Sequence, residues 1–354
     1  MTIPQLLDDA LTDLLPGIAE RAGAIDRCEA DPLDDLRVLA ARLGLFDART
    51  TSWAHAVQVV EAVARESLTV GFVAWAHRMA VEYLTLAPGS ALTSARLADL
   101  AAVRRRGVTA MAAGQRQAVG LEAAPVTATP DGAGGYRLGG TVAWASNLAG
   151  DSVVVLAANL PDGGTRVLAV DAADLVVRPA PDLLGLNATA SGSLVIEDVH
   201  VPAEAVVSTD LHAFTAAVRP RFLLLQTAFC SGVTGASLDA SRARLSGTGA
   251  VYTDDHGGLT DRYDRLHDRL HTYAAQEVAA PGTVAAGDLI ALRLDGTALA
   301  TASTRLGLAL DGGRGYAVAS ATNRRFREAS FLPVQSPSEA QLRWELARAG
   351  GATR

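Results

Sequence analysis

The chain has no lysine: all 31 basic side chains are arginine. With its abundant alanine, glycine and valine, that reads as the base composition of a GC-rich coding sequence. Cysteine is nearly absent as well. Cys28 and Cys230 are too few and too far apart for a disulfide framework or a cysteine zinc site, so a reducing cytoplasm is the expected compartment. Long apolar runs are lacking, because Arg, Asp, Ser or Gly interrupts each alanine-rich stretch before it could span a bilayer. The opening Met1-Thr2-Ile3-Pro4-Gln5 has neither the basic nor the apolar region of a secretion signal. Positive charge is not in excess: the net charge of −7 argues against a nucleic-acid partner, whose phosphates demand clustered cations. Arg104-Arg105-Arg106 and Arg324-Arg325 are local exceptions that read as solvated surface, with a phosphorylated ligand as the minor alternative. A nucleophile triad, a Walker loop and a Rossmann glycine fingerprint are all missing. Aromatic residues are scarce at 5%, so a tryptophan set into a polar strand stands out.

A length of 354 residues accommodates two or three domains, and 49% hydrophobic with 19% charged residues is the balance of a globular chain. Three textures follow one another, predicting domains at 1–107, 108–208 and 209–354. The first is helical. Leu6, Leu7, Ala10, Leu11, Leu14 and Leu15 recur at helical spacing up to Pro16-Gly17, read as a break, and Asp31-Pro32 opens a helix that Gly44 ends. Residues 54–86, with Trp75, His77 and Met79, predict at least one helix buried on most sides, where His77 is a core or interface histidine. The second block has short runs of Val, Leu, Ala and Thr parted by Gly, Pro, Asp and Asn, including the turn Pro161-Asp162-Gly163-Gly164, and predicts a β-domain. In the third, residues 222–245 carry Gly232, Gly235 and Ala236 for close helix contact. A stripe of Leu259, Tyr263, Leu266, Leu270 and Tyr273 marks the next helix. Residues 289–310 form another helix, ended by the glycine turn at 312–315, and Ser338 caps a last one with Glu339 near its positive end.

The stretch Gly135–Asn147 carries the most specific signal. It reads as a hairpin turning at Gly139-Gly140, with Val142, Trp144 and Ser146 on one face and Asn147 at the strand end. An indole beside a small hydroxyl suits a flat, electron-poor ring; the alternative is one buried tryptophan in a sheet core. Two further constellations are weaker. His267 and His271 stand at i and i+4, a metal-like spacing, but they flank an apolar stripe without the glutamate of a zincin, so no metal is expected. Asp254-Asp255-His256-Gly257-Gly258 reads as a loop.

Helical block, β-domain with a Trp-x-Ser strand, then helical block: in that order the chain resembles the acyl-CoA dehydrogenase family over almost its whole length. Four places carry the resemblance: the Gly135–Asn147 strand, the run Leu184-Gly185-Leu186-Asn187 with residues 193–202, the turn Gly312-Gly313-Arg314-Gly315-Tyr316, and Arg327-Glu328-Ala329 followed by a Pro/Ser turn and Leu342-Arg343. The resemblance implies an α+β multidomain fold: an N-terminal helical domain, a central β-barrel-like domain and a C-terminal helical bundle, assembled as a homodimer or homotetramer. It also implies a flavin, with Trp144 and Ser146 at the ring and Asn147, Gly114, Gln115, Gly120, Gly312 and Gly313 as further cofactor contacts. FAD, FMN and no flavin are the alternatives. The expected function is a flavin-dependent oxidoreductase acting on an acyl thioester or a small specialised metabolite.

Departures from the family pattern sharpen this expectation. The position of the family's usual catalytic glutamate falls on Ser336, and the alternative position, in Arg219-Pro220-Arg221-Phe222, holds no carboxylate. A hydroxyl alone is too weak a base for an acyl α-proton. Ser336 and Glu339 are thus weak catalytic candidates, and two routes compete: an oxidase or monooxygenase, and a dehydrogenase with a non-standard base. Residues 114–120 stand where the family has a Thr/Ser loop, the Arg-x-Phe-Gly segment has no match in residues 250–261, and Ala309 replaces an expected Gln. The rival reading is a non-catalytic subunit that assembles with an active homologue.

Overall fold

The computed structural model describes residues 3–351, with side chains from Asp9 to Ala349; the expected contributions of Leu6 and Leu7, and of Met1 and Thr2, lie outside the described residues. The first five helices are α1 (Ile3–Asp26), α2 (Leu33–Leu43), α3 (Trp53–Glu66), α4 (Leu68–Thr85) and α5 (Ala91–Ala101). Their starts are written in small polar residues. Asp31 Oδ1 accepts from the Leu33 amide at 2.9 Å, and Ser52, Ser67 and Ser90 accept from the amides three residues on. Gly44, at φ 60°, closes α2. Every residue from Leu68 to Leu84 is buried, so α4 is a helix without a solvent face. The break expected at Pro16 does not occur. Leu11, Ile18, Ala22 and Ile25 continue one buried stripe through α1, and that burial outweighs the single backbone hydrogen bond which proline removes.

Eight strands follow: β1 (Gly107–Ala110), β2 (Val126–Pro130), β3 (Tyr136–Ala145), β4 (Val153–Asn159), β5 (Thr165–Asp171), β6 (Val176–Pro179), β7 (Gly192–Val201) and β8 (Val206–Ser208). They make one mixed sheet in the order β6-β7-β3-β2-β4-β5-β8, with β1 parallel to β4. Strands β4 and β5 are buried on both faces. Val153, Val155, Val167 and Ala169 face the helical core, while Val154, Leu156, Leu168 and Val170 face a second core inside the sheet. The pair is therefore the wall between two hydrophobic cores.

Two expectations about this region are corrected. Gly139-Gly140 is not a turn: β3 runs through it, and the hairpin turns at 131–135, where Asp131 Oδ1 accepts from the amides of Ala133 and Gly135. Gly140 has φ 131° at a register shift against β7, and a Cβ there would strike the Pro125 carbonyl oxygen, so the glycine serves a bulge and a close strand approach. The segment holding Gly114 and Gln115 is not a loop either. It is the short helix α6 (Ala112–Ala118), seated so tightly on β4 that a Cβ at Gly114 would lie 2.7 Å from Ala157 Cβ. The short β8 went unforeseen; three residues give too little alternation to see.

The C-terminal helices are α7 (Leu211–Arg242), α8 (Thr253–Ala279), α9 (Ala286–Tyr316), α10 (Ala321–Ala329) and α11 (Glu339–Gly351). Helix α7 lies against α3 at Gly232, where a Cβ would collide with the Glu61 carbonyl oxygen, as its small residues foretold. The expected loop at Asp254–Gly258 is instead the first turns of α8; the two aspartates favour the positive end, and His256 is buried against the Leu238 carbonyl. Gly312 is a kink inside α9 (φ 58°, ψ −141°), with one further turn beyond it. Among the described residues, no helix is long and apolar enough to cross a membrane.

His77 joins the helical block to the sheet. Its Nδ1 accepts from the Gly107 amide at 3.0 Å, which leaves Nε2 to donate to the Leu100 carbonyl at 2.8 Å. Full burial pushes its pKa down to about 4. Between the unfolded value of about 6.5 and about 4, the unfolded chain takes up a proton that the folded chain refuses, so stability falls on acidification through that window and levels below it. Relative to His77→Gln, which does not titrate, wild type should lose about 3 kcal/mol of unfolding free energy between pH 7.5 and pH 4. Denaturant titrations of both proteins across that range test this; parallel profiles would show that His77 protonates in the fold.

Candidate active site

A cavity of about 580 Å³ opens between the sheet and the C-terminal helices. On the sheet side the ladder between β3 and β7 slips between Val142 and Ala145. The slip sends both Val142 and Ala145 into the sheet's inner core and turns Trp144 outward onto the cavity, 55% exposed, with Ser146 beside it. Strict alternation had placed Val142 with Trp144 and Ser146; the bulge separates them. It also overturns the reading of Trp144 as a buried sheet-core residue.

Ser146 belongs to a chain of hydroxyls. Its Oγ lies 2.7 Å from Ser191 Oγ, which lies 2.7 Å from Thr189 Oγ1, and Thr189 donates to the Leu186 carbonyl at 2.7 Å. Because Thr189 spends its proton on Leu186, Ser191 donates to Thr189 and Ser146 donates to Ser191. Ser146 Oγ is thereby left as an acceptor towards the cavity. The 183–186 loop is pinned by Asn187, whose Oδ1 and Nδ2 bind the amide and carbonyl of Leu183.

The floor is aromatic. Phe72 and Trp75 of α4 pack together with ring centroids 5.2 Å apart, and Phe331 stands edge-on to Phe72 at 5.5 Å. The opposite wall is the turn before α11, which contributes Gln335 and Ser336. A buried guanidinium holds that turn. Arg293 of α9 donates to Gln226 Oε1 at 3.1 Å, to the Leu332 carbonyl at 3.2 Å and to Gln335 Oε1 at 3.0 Å, while Gln226 Nε2 donates to the Ser336 carbonyl at 2.9 Å. Ser336 Oγ, Gln335 Nε2 and Trp75 Nε1 are buried without a protein partner.

Of the residues singled out from sequence, Trp144, Ser146 and Ser336 meet at this cavity. The other cofactor and catalytic candidates do not line it, whereas Leu184, Gly185, Leu186, Arg327 and Ser338, also named from sequence, do. Asn147 is buried behind the strand at φ 68°, donating to the Gly107 carbonyl and accepting from Arg106. Gly114 and Gln115 face the interior from α6, whose Ala112 and Arg116 reach the cavity instead. Gly120 follows that helix at φ 77°, and Gly312 and Gly313 are exposed at the α9 kink. Glu339 sits at the start of α11, paired with Arg343 at 2.8 Å. The aromatic floor, the Ser191–Thr189 relay and Arg293 were not singled out from sequence. Trp75 was visible only as one more residue of an apolar helix.

No Asp, Glu or His is among the described residues that line the cavity; its charged members are Arg116, paired with Glu122, and Arg327, paired with Asp26. Glu328 is adjacent in sequence but turns into the core, accepting from Thr69 Oγ1 at 2.8 Å, and burial pushes its pKa up. The lone Ser336 hydroxyl costs desolvation and returns no hydrogen bond, so Ser336→Ala should leave stability unchanged or raise it by up to about 1 kcal/mol. Arg293→Met should cost about 3 kcal/mol or more, since it strips the partners from buried Gln226 and Gln335 oxygens. Chemical denaturation of both variants decides; a destabilised Ser336→Ala would mean that the hydroxyl is engaged.

A search with protein-family models gives no match, and neither does a search of curated proteins. Solved structures do match. Glutaryl-coenzyme A dehydrogenase in its glutaryl-CoA complex superposes with a TM-score of 0.87 at 17% identity, over 100% of this chain and 97% of that one. Butyryl-CoA dehydrogenase from Megasphaera elsdenii gives 0.84 at 15% identity, with 100% of both chains covered. Dibenzothiophene monooxygenase from Paenibacillus sp. A11-2 gives 0.77 at 18% identity, over 99% of this chain and 98% of that one. The helix–sheet–helix order, the sheet with its Trp-x-Ser strand and these superpositions lead to one conclusion: the chain has the acyl-CoA dehydrogenase fold.

Proposed function

We propose that the chain is a flavin-dependent oxidoreductase whose reaction does not pass through a carboxylate base. The observation that carries this reading is the solvent-accessible indole of Trp144 beside Ser146 at an apolar cavity whose described lining holds no acid. These residues fit a flavin ring. Trp144 offers a flat stacking face, Ser146 an acceptor at the ring edge, and the unpartnered Ser336 Oγ, Gln335 Nε2 and Trp75 Nε1 offer polar contacts to ring or substrate. A bound flavin supplies the two-electron redox centre. Phe72, Trp75 and Phe331 exclude water and favour an apolar substrate portion, an acyl thioester chain or a small specialised metabolite.

With no acid or imidazole among the described lining residues to take an α-proton, the reading favours oxygen-using chemistry, as an oxidase or monooxygenase, over desaturation. The dibenzothiophene monooxygenase of the same fold supports this choice. The exposed Gly312 and Gly313 give the dinucleotide tail of FAD no contact at the cavity, so FAD and FMN remain the two candidates, in a homodimer or homotetramer.

The test is an absorbance spectrum of the untagged protein, with acid-released cofactor identified by chromatography. About one flavin per chain is expected, and Trp144→Ala should weaken its retention about tenfold through the lost stacking. Glu339→Gln should leave turnover within about twofold, because that carboxylate serves the helix end and Arg343. No flavin after incubation with excess FAD and FMN would overturn the reading and leave an assembly partner of an active homologue.

A further inference from the structure

Outside the cavity described above, the two histidines at i and i+4 of α8 converge on a carboxylate from a distant helix. His267 Nδ1 lies 3.0 Å from Glu61 Oε1, and His271 Nε2 lies 2.7 Å from Glu61 Oε2. Glu61 comes from α3, and its carboxylate is fixed by Ser231 of α7, whose hydroxyl donates to Oε1. The three ligand atoms lie within 4.8 Å of one another. They face a separate cavity of about 410 Å³ between α1, α3 and α8.

We propose that Glu61, His267 and His271 form a divalent transition-metal site, zinc by preference, that clasps α3 to α8. Two imidazoles and one carboxylate are the donor set that zinc takes in three-ligand sites, with water from the adjoining cavity as the fourth ligand. A tetrahedral ion at 2.0–2.1 Å from each ligand needs donor separations of roughly 3.3 Å; the two histidine contacts, to opposite oxygens of Glu61, are 3.0 and 2.7 Å, and the three ligand atoms lie within 4.8 Å, so small side-chain rotations bring the set around an ion. On binding, the ring nitrogen that now faces Glu61 turns its lone pair to the metal: a neutral imidazole moves its proton to the other ring nitrogen, and a charged one releases a proton to solvent. The Glu61 carboxylate is already oriented by Ser231, the outer-partner arrangement that preorganises metal ligands. Arg65 lies on the same cavity, but its charge is taken by Asp239, and it also donates to the Tyr263 hydroxyl. The glutamate was invisible in sequence because it stands 206 residues before His267.

The untagged full-length chain, stripped with chelator and dialysed against equimolar zinc chloride, should retain about one zinc per chain by elemental mass spectrometry. Cobalt(II) in its place should give the intense visible absorption of a four-coordinate ion. His271→Gln should weaken zinc on the order of 100-fold, as should His267→Gln, whose half-exposed position keeps the fold testable by circular dichroism. Wild type that binds zinc no more tightly than the His267→Gln/His271→Gln double variant would overturn the proposal. So would a zinc Kd weaker than about 10 μM, which marks casual surface binding. These readouts do not depend on whether the chain binds a flavin.

Discussion

One buried cation sets the shape of the candidate active site. Arg293 is 1% exposed and no carboxylate among the described residues pairs with it, so an interior charge is solvated by dipoles. Gln226, Leu332, Gln335 and Thr297 supply those oxygens from α7, from α9 itself and from the turn before α11. Each of these groups is over-determined, because moving any one leaves either the guanidinium or a buried amide unpaired. The wall that carries Gln335 and Ser336 is therefore fixed by the needs of a residue that itself never reaches the cavity.

The opposite wall is fixed differently. Strands β4 and β5 bury apolar side chains on both faces, which seats the sheet on the helical core, and Arg96 of α5 adds a charged tie to the Ala169 carbonyl and to Asp171 of β5. Of the two register slips between β3 and β7, the one between Val142 and Ala145 turns Trp144 outward onto the cavity. The walls are tied at the 183–186 loop. Gly185 packs so closely that a Cβ would lie 3.0 Å from the Arg327 carbonyl carbon, and Arg327 binds Asp26 of α1 and donates to the Leu184 carbonyl. Helical packing, sheet register and one ion pair thus meet at the cavity mouth.

Much of this was legible in the chain. Asp31 and Ser338 marked two helix starts, small residues on α7 announced a close helix contact, and a tryptophan in a polar strand pointed to the site. What stayed hidden has physical reasons. Periodicity assumes constant register, so a bulge that parts Val142 from Trp144 cannot be seen in it. Pro16 reads as a stop only until the buried stripe on both sides of it is counted. Arg293, alone in a helix with ordinary neighbours, looks like surface; its role exists only once Gln226 and Gln335 arrive from elsewhere. The same holds for Glu61 between two histidines of another helix.

The absence of acids from the cavity has an electrostatic consequence beyond the missing base. Asp, Glu and His are the side chains whose charge changes between acid and neutral pH, and among the described lining residues arginine is the only charged type. Arg116 and Arg327 each carry a carboxylate partner behind them, so the field they project inward is that of a dipole and decays faster than that of a bare charge. The cavity then presents nearly the same potential across the whole physiological range. A desaturating site needs the opposite, a group poised to change protonation as the substrate reacts. Under the proposed reading, the apolar floor, fixed hydroxyl dipoles and capped arginines would shelter a flavin ring from water and leave proton movements to the bound molecules themselves.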